Sequence, residues 1–128
     1  MIVLDTHAWI WWVAHSRHLS KKAAAEIEKA DRIGVSAISC LEVATAVVKG
    51  RISIDRGILE WLDQALTQPK VELLPLTPPV CVKATQLGAK FHGDPVDRII
   101  VATALLQTAV LITKDRPIRR YPGIPTIW

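Results

Sequence analysis

The sequence is poor in the features that most directly announce a function. Among 128 residues it has two cysteines, Cys40 and Cys81, distant from each other and outside any Cys-x-x-Cys pattern. That excludes a disulfide framework and leaves a zinc site without support, so both are expected as reduced core thiols in a cytoplasmic protein. The longest apolar run near the start, Ala8 to Ala14, is too short to span a bilayer and follows Asp5 and His7 rather than a basic leader. No membrane association and no export signal are expected. There is no internal repeat and no Ser/Gly/Pro-rich or single-charge linker, so the expectation is one domain over residues 1–128, with 50% hydrophobic residues to fill its core.

Charge is scarce in particular places. Residues 1–16 carry one charged side chain, Asp5; Ile33 to Val48 carry one, Glu42; and Ile99 to Thr113, directly after Asp97 and Arg98, carry none. Each acid has an ordinary explanation as a helix cap or turn former. Yet the uncharged stretches hold no Lys or Arg to neutralise these acids, and an inward carboxylate without a partner is costly.

The pattern of elements reads as follows. Met1 to Leu4 is fully apolar, as in a strand buried on both faces. Thr6 to Ala14 is a helix, whose Trp9, Trp11 and Trp12 are read as core or subunit-contact residues rather than base-stacking platforms, since no Lys or Arg is interleaved. Ser20 caps a helix to Ala30, and Ile33 to Val35 is a strand. The next helix runs to Val48 from either Ser36 or Ser39. A Ser39 start makes Ser39-Cys40-Leu41-Glu42 a capping box and explains Glu42, whereas a Ser36 start leaves Glu42 in need of another partner. Asp55 to Leu66 is amphipathic, Val71 to Leu74 a strand, and Thr77-Pro78 opens a helix to about Gly88.

Asp94-Pro95 then begins a helix, with Asp94 as cap, Pro95 in the first turn, and Asp97 in the row that continues through Val101 and Ala104. Asp97 should point inward. His92, in the preceding loop, is read as a hydrogen-bonding or packing residue before a ligand. Val110 to Thr113 is a fourth buried strand, Asp115 follows it as a turn former or cap, and Ile124 to Trp128 makes an edge strand.

Strands alternating with helical connections predict an α/β fold with a parallel sheet and right-handed crossovers. In such sheets ligands bind beyond the carboxyl ends of the strands, where Asp5, Glu42, Asp97 and Asp115 can all arrive. Four clustered carboxylates repel one another, and a divalent cation relieves that. Oxygen donors select a hard ion, Mg²⁺ or Mn²⁺, able to activate water for phosphodiester hydrolysis. The formal charge is +4, and with the four acids withdrawn into a pocket, 16 basic residues face 8 acidic ones, a surface suited to a polyanion.

Ile2-Val3-Leu4-Asp5-Thr6, Ser36-x-x-Ser39-x-x-Glu42, Asp94-Pro95-Val96-Asp97-Arg98 with the apolar run behind it, and Leu111-Ile112-Thr113-Lys114-Asp115 together resemble a PIN domain, in particular the VapC-type toxins of type II toxin–antitoxin systems. The resemblance covers essentially the whole chain. It implies a three-layer α/β/α sandwich with a mainly parallel sheet of about five strands, and a Mg²⁺- or Mn²⁺-dependent endoribonuclease. Asp5, Glu42, Asp97 and Asp115 would then be its catalytic and metal-binding quartet. It further implies an RNA substrate, a VapB-type antitoxin, and a homodimer or a toxin–antitoxin hetero-oligomer. Asp94 is an extra acid in this pattern, and Thr6 and Thr113 stand ready to hold carboxylates. A non-catalytic PIN-like module binding RNA or protein is the alternative. A receiver- or phosphatase-type phosphoryl-transfer domain is disfavoured, because Asp5-Thr6-His7 lacks the second Asp two residues on.

Overall fold

The computed structural model describes residues 1–128. Five strands form one sheet: β1 (Ile2–Leu4), β2 (Ile33–Ser36), β3 (Val71–Leu74), β4 (Val110–Ile112) and β5 (Thr126–Ile127). Their order across the sheet is β3-β2-β1-β4-β5, and every neighbouring pair is parallel. Seven helices connect them: α1 (Thr6–Val13), α2 (Lys21–Lys29), α3 (Ala37–Val48), α4 (Ile58–Leu66), α5 (Pro78–Ala84), α6 (Pro95–Leu106) and α7 (Arg116–Arg120). None is long and apolar enough to cross a membrane.

The two-residue alternation of side chains along a strand divides the core in two. Ile2 and Leu4 of β1, Ile33 and Val35 of β2 and Ile112 of β4 pack with Ala8, Trp9, Ala23, Ile27, Val43 and Ala65 from α1 to α4. Val3 and Leu111 point the other way, against Ile100, Val101 and Ala104 of α6 and Ile118 of α7. Because both faces are covered, the strands read as unbroken apolar runs rather than as alternation. Gly34 lies on that second face, where an added Cβ would stand 2.5 Å from Leu74 Cδ1 and 3.3 Å from Val3 Cγ2. A larger residue at this position must displace the Leu74 side chain.

Several local expectations need correction. The helix after Asp55 starts only at Ile58, because the Asp55 carboxylate is taken by Arg56 at 2.8 Å and Gly57 stands at the N-cap. Helix α5 stops at Ala84, four residues early, where the Thr85 hydroxyl turns back to the Val82 carbonyl at 2.7 Å. Cys81 is exposed on α5 rather than filling the core, and Cys40 is half-buried; both are free thiols. Trp9 is fully buried and meets Trp61 edge-on at 5.4 Å, and Trp12 packs on the same cluster. Trp11 packs into neither core.

The strand order changes direction at β1. Chain connections run from β1 through β2 to β3 on one side, while β4 and β5 lie on the other. The carboxyl ends of β1 and β4 therefore flank a crevice that no connection crosses, the position at which doubly wound sheets bind ligands.

Candidate active site

Four helices begin at this crevice, and each beginning is fixed by a short polar side chain. Asp5, directly after β1, is the N-cap of α1 and its Oδ1 accepts from the Thr6 N–H at 2.7 Å. Ser36 caps α3 by accepting from the Ile38 N–H at 3.3 Å. Asp94 caps α6, with Oδ1 accepting from Val96 N–H at 2.9 Å and more loosely from Asp97 N–H at 3.4 Å. Asp115, three residues after β4, caps the short α7 through Oδ1 and the Ile118 N–H at 2.9 Å. The partial positive charge of helix N-termini suits carboxylates there.

Ser36 rather than Ser39 starts α3, so the capping-box explanation of Glu42 fails. Glu42 sits in the second turn, out of reach of the free backbone donors, and its partner is the Thr6 hydroxyl, which donates to Oε1. Ser39 Oγ lies 2.9 Å from the same hydroxyl, fully buried. Thr113, also fully buried, ties two acids together: its hydroxyl donates to Asp5 Oδ2 at 2.6 Å and accepts from the Asp115 N–H at 3.0 Å.

The resulting cavity encloses about 500 Å³ and is lined by Asp5, Glu42, Asp94, Asp97 and Asp115, with Arg51 as its single Lys or Arg. All four acids singled out from the sequence thus face one space, and Asp94 joins them. Asp97 bears the consequence. It is half-buried in the first turn of α6, and its carboxyl is pushed up to about 8, first by burial and then by the charges of Asp5, Asp94, Asp115 and Glu42. Burial also raises Glu42, against the opposing pull of the Thr6 hydrogen bond, with Asp5 and Asp94 adding to the rise.

Two histidines approach from either side in the same way. His7 Nε2 accepts from the Lys114 N–H at 3.1 Å, and its Nδ1 lies 3.7 Å from Asp5 Oδ2. His92 stacks on Phe91 with ring centroids 4.6 Å apart, and its Nδ1 accepts from the Asp94 N–H at 3.4 Å. Its Nε2 is buried without a hydrogen-bond partner, 3.4 Å from Asp97 Oδ2. A neutral imidazole that accepts at one nitrogen carries its proton on the other. Each ring in that form turns an N–H toward an acid, as a donor rather than a ligand.

The donor set fits a hard divalent cation. A carboxylate oxygen of Asp97 and one of Asp115 lie within 4.8 Å of each other and of a His92 ring nitrogen, so the acids converge beside a ring able to hydrogen-bond what they hold. Carboxylate oxygens dominate, with no thiol present, which favours ions of the magnesium class. Arg51 and the orientation of His92 escaped the sequence reading, and Ser39, weighed there as a cap, meets Thr6 instead: only the fold brings the turn after α3, the α1–α3 contact and the loop before α6 to one place.

Comparison with known proteins agrees with this geometry. The PIN domain family model matches residues 2–124. Ribonuclease VapC22 of Mycobacterium tuberculosis (strain ATCC 25618 / H37Rv) is 40% identical over 129 residues, covering 99% of this chain and 98% of that protein. Among solved structures, a toxin-antitoxin complex from Klebsiella pneumoniae superposes with a TM-score of 0.73 at 19% identity, covering 100% of this chain and 97% of that one. VapBC2 from Rickettsia felis bound to a DNA fragment from their promoter gives 0.73 at 18% identity, with 99% and 98% covered. At such identities the structural likeness establishes the fold.

Proposed function

The chain belongs to the PIN domain family and to its VapC branch, and from that premise we propose that it is a divalent-metal-dependent endoribonuclease, the toxin of a toxin–antitoxin pair. The observation that carries this reading is the gathering of Asp5, Glu42, Asp97 and Asp115 from four separate segments around one cavity that has one arginine to offset them. Mutual repulsion of that size is retained where a cation is to be held.

Asp5, Glu42, Asp97 and Asp115 would hold the ion, Mg²⁺ or Mn²⁺. When bound, such an ion supplies an acidified water and neutralises charge on a phosphate oxygen. The chain's own contribution is orientation. Thr113 and the Thr6 N–H fix both oxygens of Asp5, so that carboxylate cannot rotate. The Thr6 hydroxyl aims Glu42 inward, and the Asp115 cap leaves Oδ2 free of the backbone bond that engages Oδ1. Arg51 at the rim offers a phosphate contact, and the N–H of His92 is placed to donate to an oxygen next to Asp97.

Purified protein should cut RNA with Mg²⁺ or Mn²⁺, stop with EDTA, and recover on adding the ion back. Asp5→Asn should abolish cleavage and growth arrest while the protein still folds; full activity in that variant refutes the reading. Mapping cleavage ends on total RNA would name the substrate. The relatives described as toxin-antitoxin complexes support a VapB-type antitoxin as partner, which copurification with the product of the neighbouring reading frame would test.

A further inference from the structure

Beside the acidic cavity lies a second depression of about 420 Å³, lined by His7, Trp11, Lys114, Asp115 and Arg116. The two spaces share His7 and Asp115 as a common wall. Trp11 comes one turn after His7 on α1, so both rings stand on the same face of the helix. Their centroids are 5.1 Å apart, and with His18 at 5.3 Å and Trp128 at 5.8 Å three rings surround Trp11. Lys114 sets its ammonium 5.7 Å from the Trp11 ring centre, and its backbone N–H holds His7 in place. Arg116 is exposed at the start of α7.

No Lys or Arg adjoins Trp11 in sequence; the β4–α7 turn brings Lys114 and Arg116 to it. This is the chemistry of a single-stranded nucleic acid site, a π surface for a base and cations for the flanking phosphates. The apolar side chains that would mark a protein-binding groove are missing from the lining. Lys114 has a flexible four-carbon stem and is exposed, so it can swing off the ring to admit a base and then close on the phosphate.

We propose that this depression is a nucleobase subsite, in which Trp11 stacks the base of the nucleotide next to the scissile phosphate while Lys114 and Arg116 hold its phosphates. The proposal rests on the ribonuclease reading of the acidic cavity and adds to it what positions the strand. Such a subsite would accept any base of a single strand, because every base has a π face.

Binding is measured by fluorescence anisotropy in EDTA, so that cleavage plays no part. The probes are a fluorescein-labelled 12-nucleotide oligouridylate and a ribose-phosphate chain of equal length without bases. Wild-type protein should bind the base-bearing chain roughly tenfold more tightly, as expected for one stacked base. The preference should shrink to about onefold in Trp11→Ala and survive largely in Trp11→Phe, which keeps a ring. Lys114→Gln should weaken both probes alike and lower the salt slope by about one phosphate contact.

Thermal melting checks that each variant is folded. If Trp11→Ala does not fold, Trp11→Leu, which keeps apolar bulk without a π face, takes its place, and an unchanged preference in that variant overturns the subsite. Equal binding of the two probes by wild type, no binding of either, or an unchanged preference in folded Trp11→Ala overturns the subsite. A change in sedimentation on Trp11→Ala with the base preference intact assigns the rings to a contact between copies, and overturns it too. Cleavage of the same oligouridylate with Mg²⁺ is scored separately, so loss of the nuclease reading and loss of the subsite give different patterns.

Discussion

The crevice has two walls that solve the same electrostatic problem differently. On the β1–β4 side, Asp5 and Asp115 sit at helix starts, each with one oxygen engaged by a backbone N–H and both joined through Thr113. On the α3–α6 side, Glu42 and Asp97 lie within their helices and accept no backbone bond, and theirs are the carboxyls raised by burial. The first wall is stabilised by the protein that surrounds it. The second is left in debt to whatever enters, which is how a site can be held open for a cation while the fold stays intact.

The sharpest way to break that contrast is Asp97→Asn. With metal, cleavage should fall about a hundredfold or more, as when a metal site loses a carboxylate. Without metal, the same variant should melt higher than wild type at pH 9, because an inward charge has gone. The sign follows from linkage. Unfolded, Asp97 ionises near 3.8, and folded near 8. Below about pH 4 both states hold the proton and the residue contributes nothing. Between about 4 and 8 the unfolded chain releases a proton that the folded one keeps, so stability drops steadily, and above 8 the loss is complete. Melting curves of metal-free protein should show that fall, and Mg²⁺ should flatten it; a pH-independent Asp97 contribution would remove the contrast.

A smaller effect is expected from Thr113→Val on the satisfied wall. Asp5 Oδ2 and the Asp115 N–H both lose a buried partner, which should cost about 1–3 kcal/mol by urea unfolding and lower activity through a loosened Asp5. A stability loss here, set against the metal-free gain in Asp97→Asn, separates the walls by sign. Smallest is Asp94→Ala, removing the α6 cap for about 1 kcal/mol, with most cleavage retained. Since Asp94 also pushes Asp97 upward, the alkaline end of the stability fall should shift to lower pH in this variant.

The sheet and most element positions could be read from the sequence because buried parallel strands and helix caps leave local signals. The acids were also legible, but as a choice between cap and ligand. Asp5 and Asp115 are helix caps that also line the cavity, since capping engages only one of a carboxylate's two oxygens. For Glu42 the choice was real, and it turned on whether Ser36 or Ser39 starts the helix; Ser36, the last residue paired in the sheet, is the cap. Trp11 lies outside both cores, and the cations beside it come from about a hundred residues away in the chain, where no local pattern could announce them. His92 was rightly expected to pack and to hydrogen-bond, yet only the fold places its second nitrogen beside Asp97.

The bond from Thr113 to Asp5 spans 108 positions of the chain. At ribosomal speeds of roughly 5–20 residues per second, Asp5 waits on the order of ten seconds for the strand that locks it. Through that interval the chain lacks Asp115, and for most of it Asp97 as well, so the crevice is not assembled. The crevice can therefore close only once the last strands have emerged. The wide sequence separation across the sheet works as a timer on synthesis.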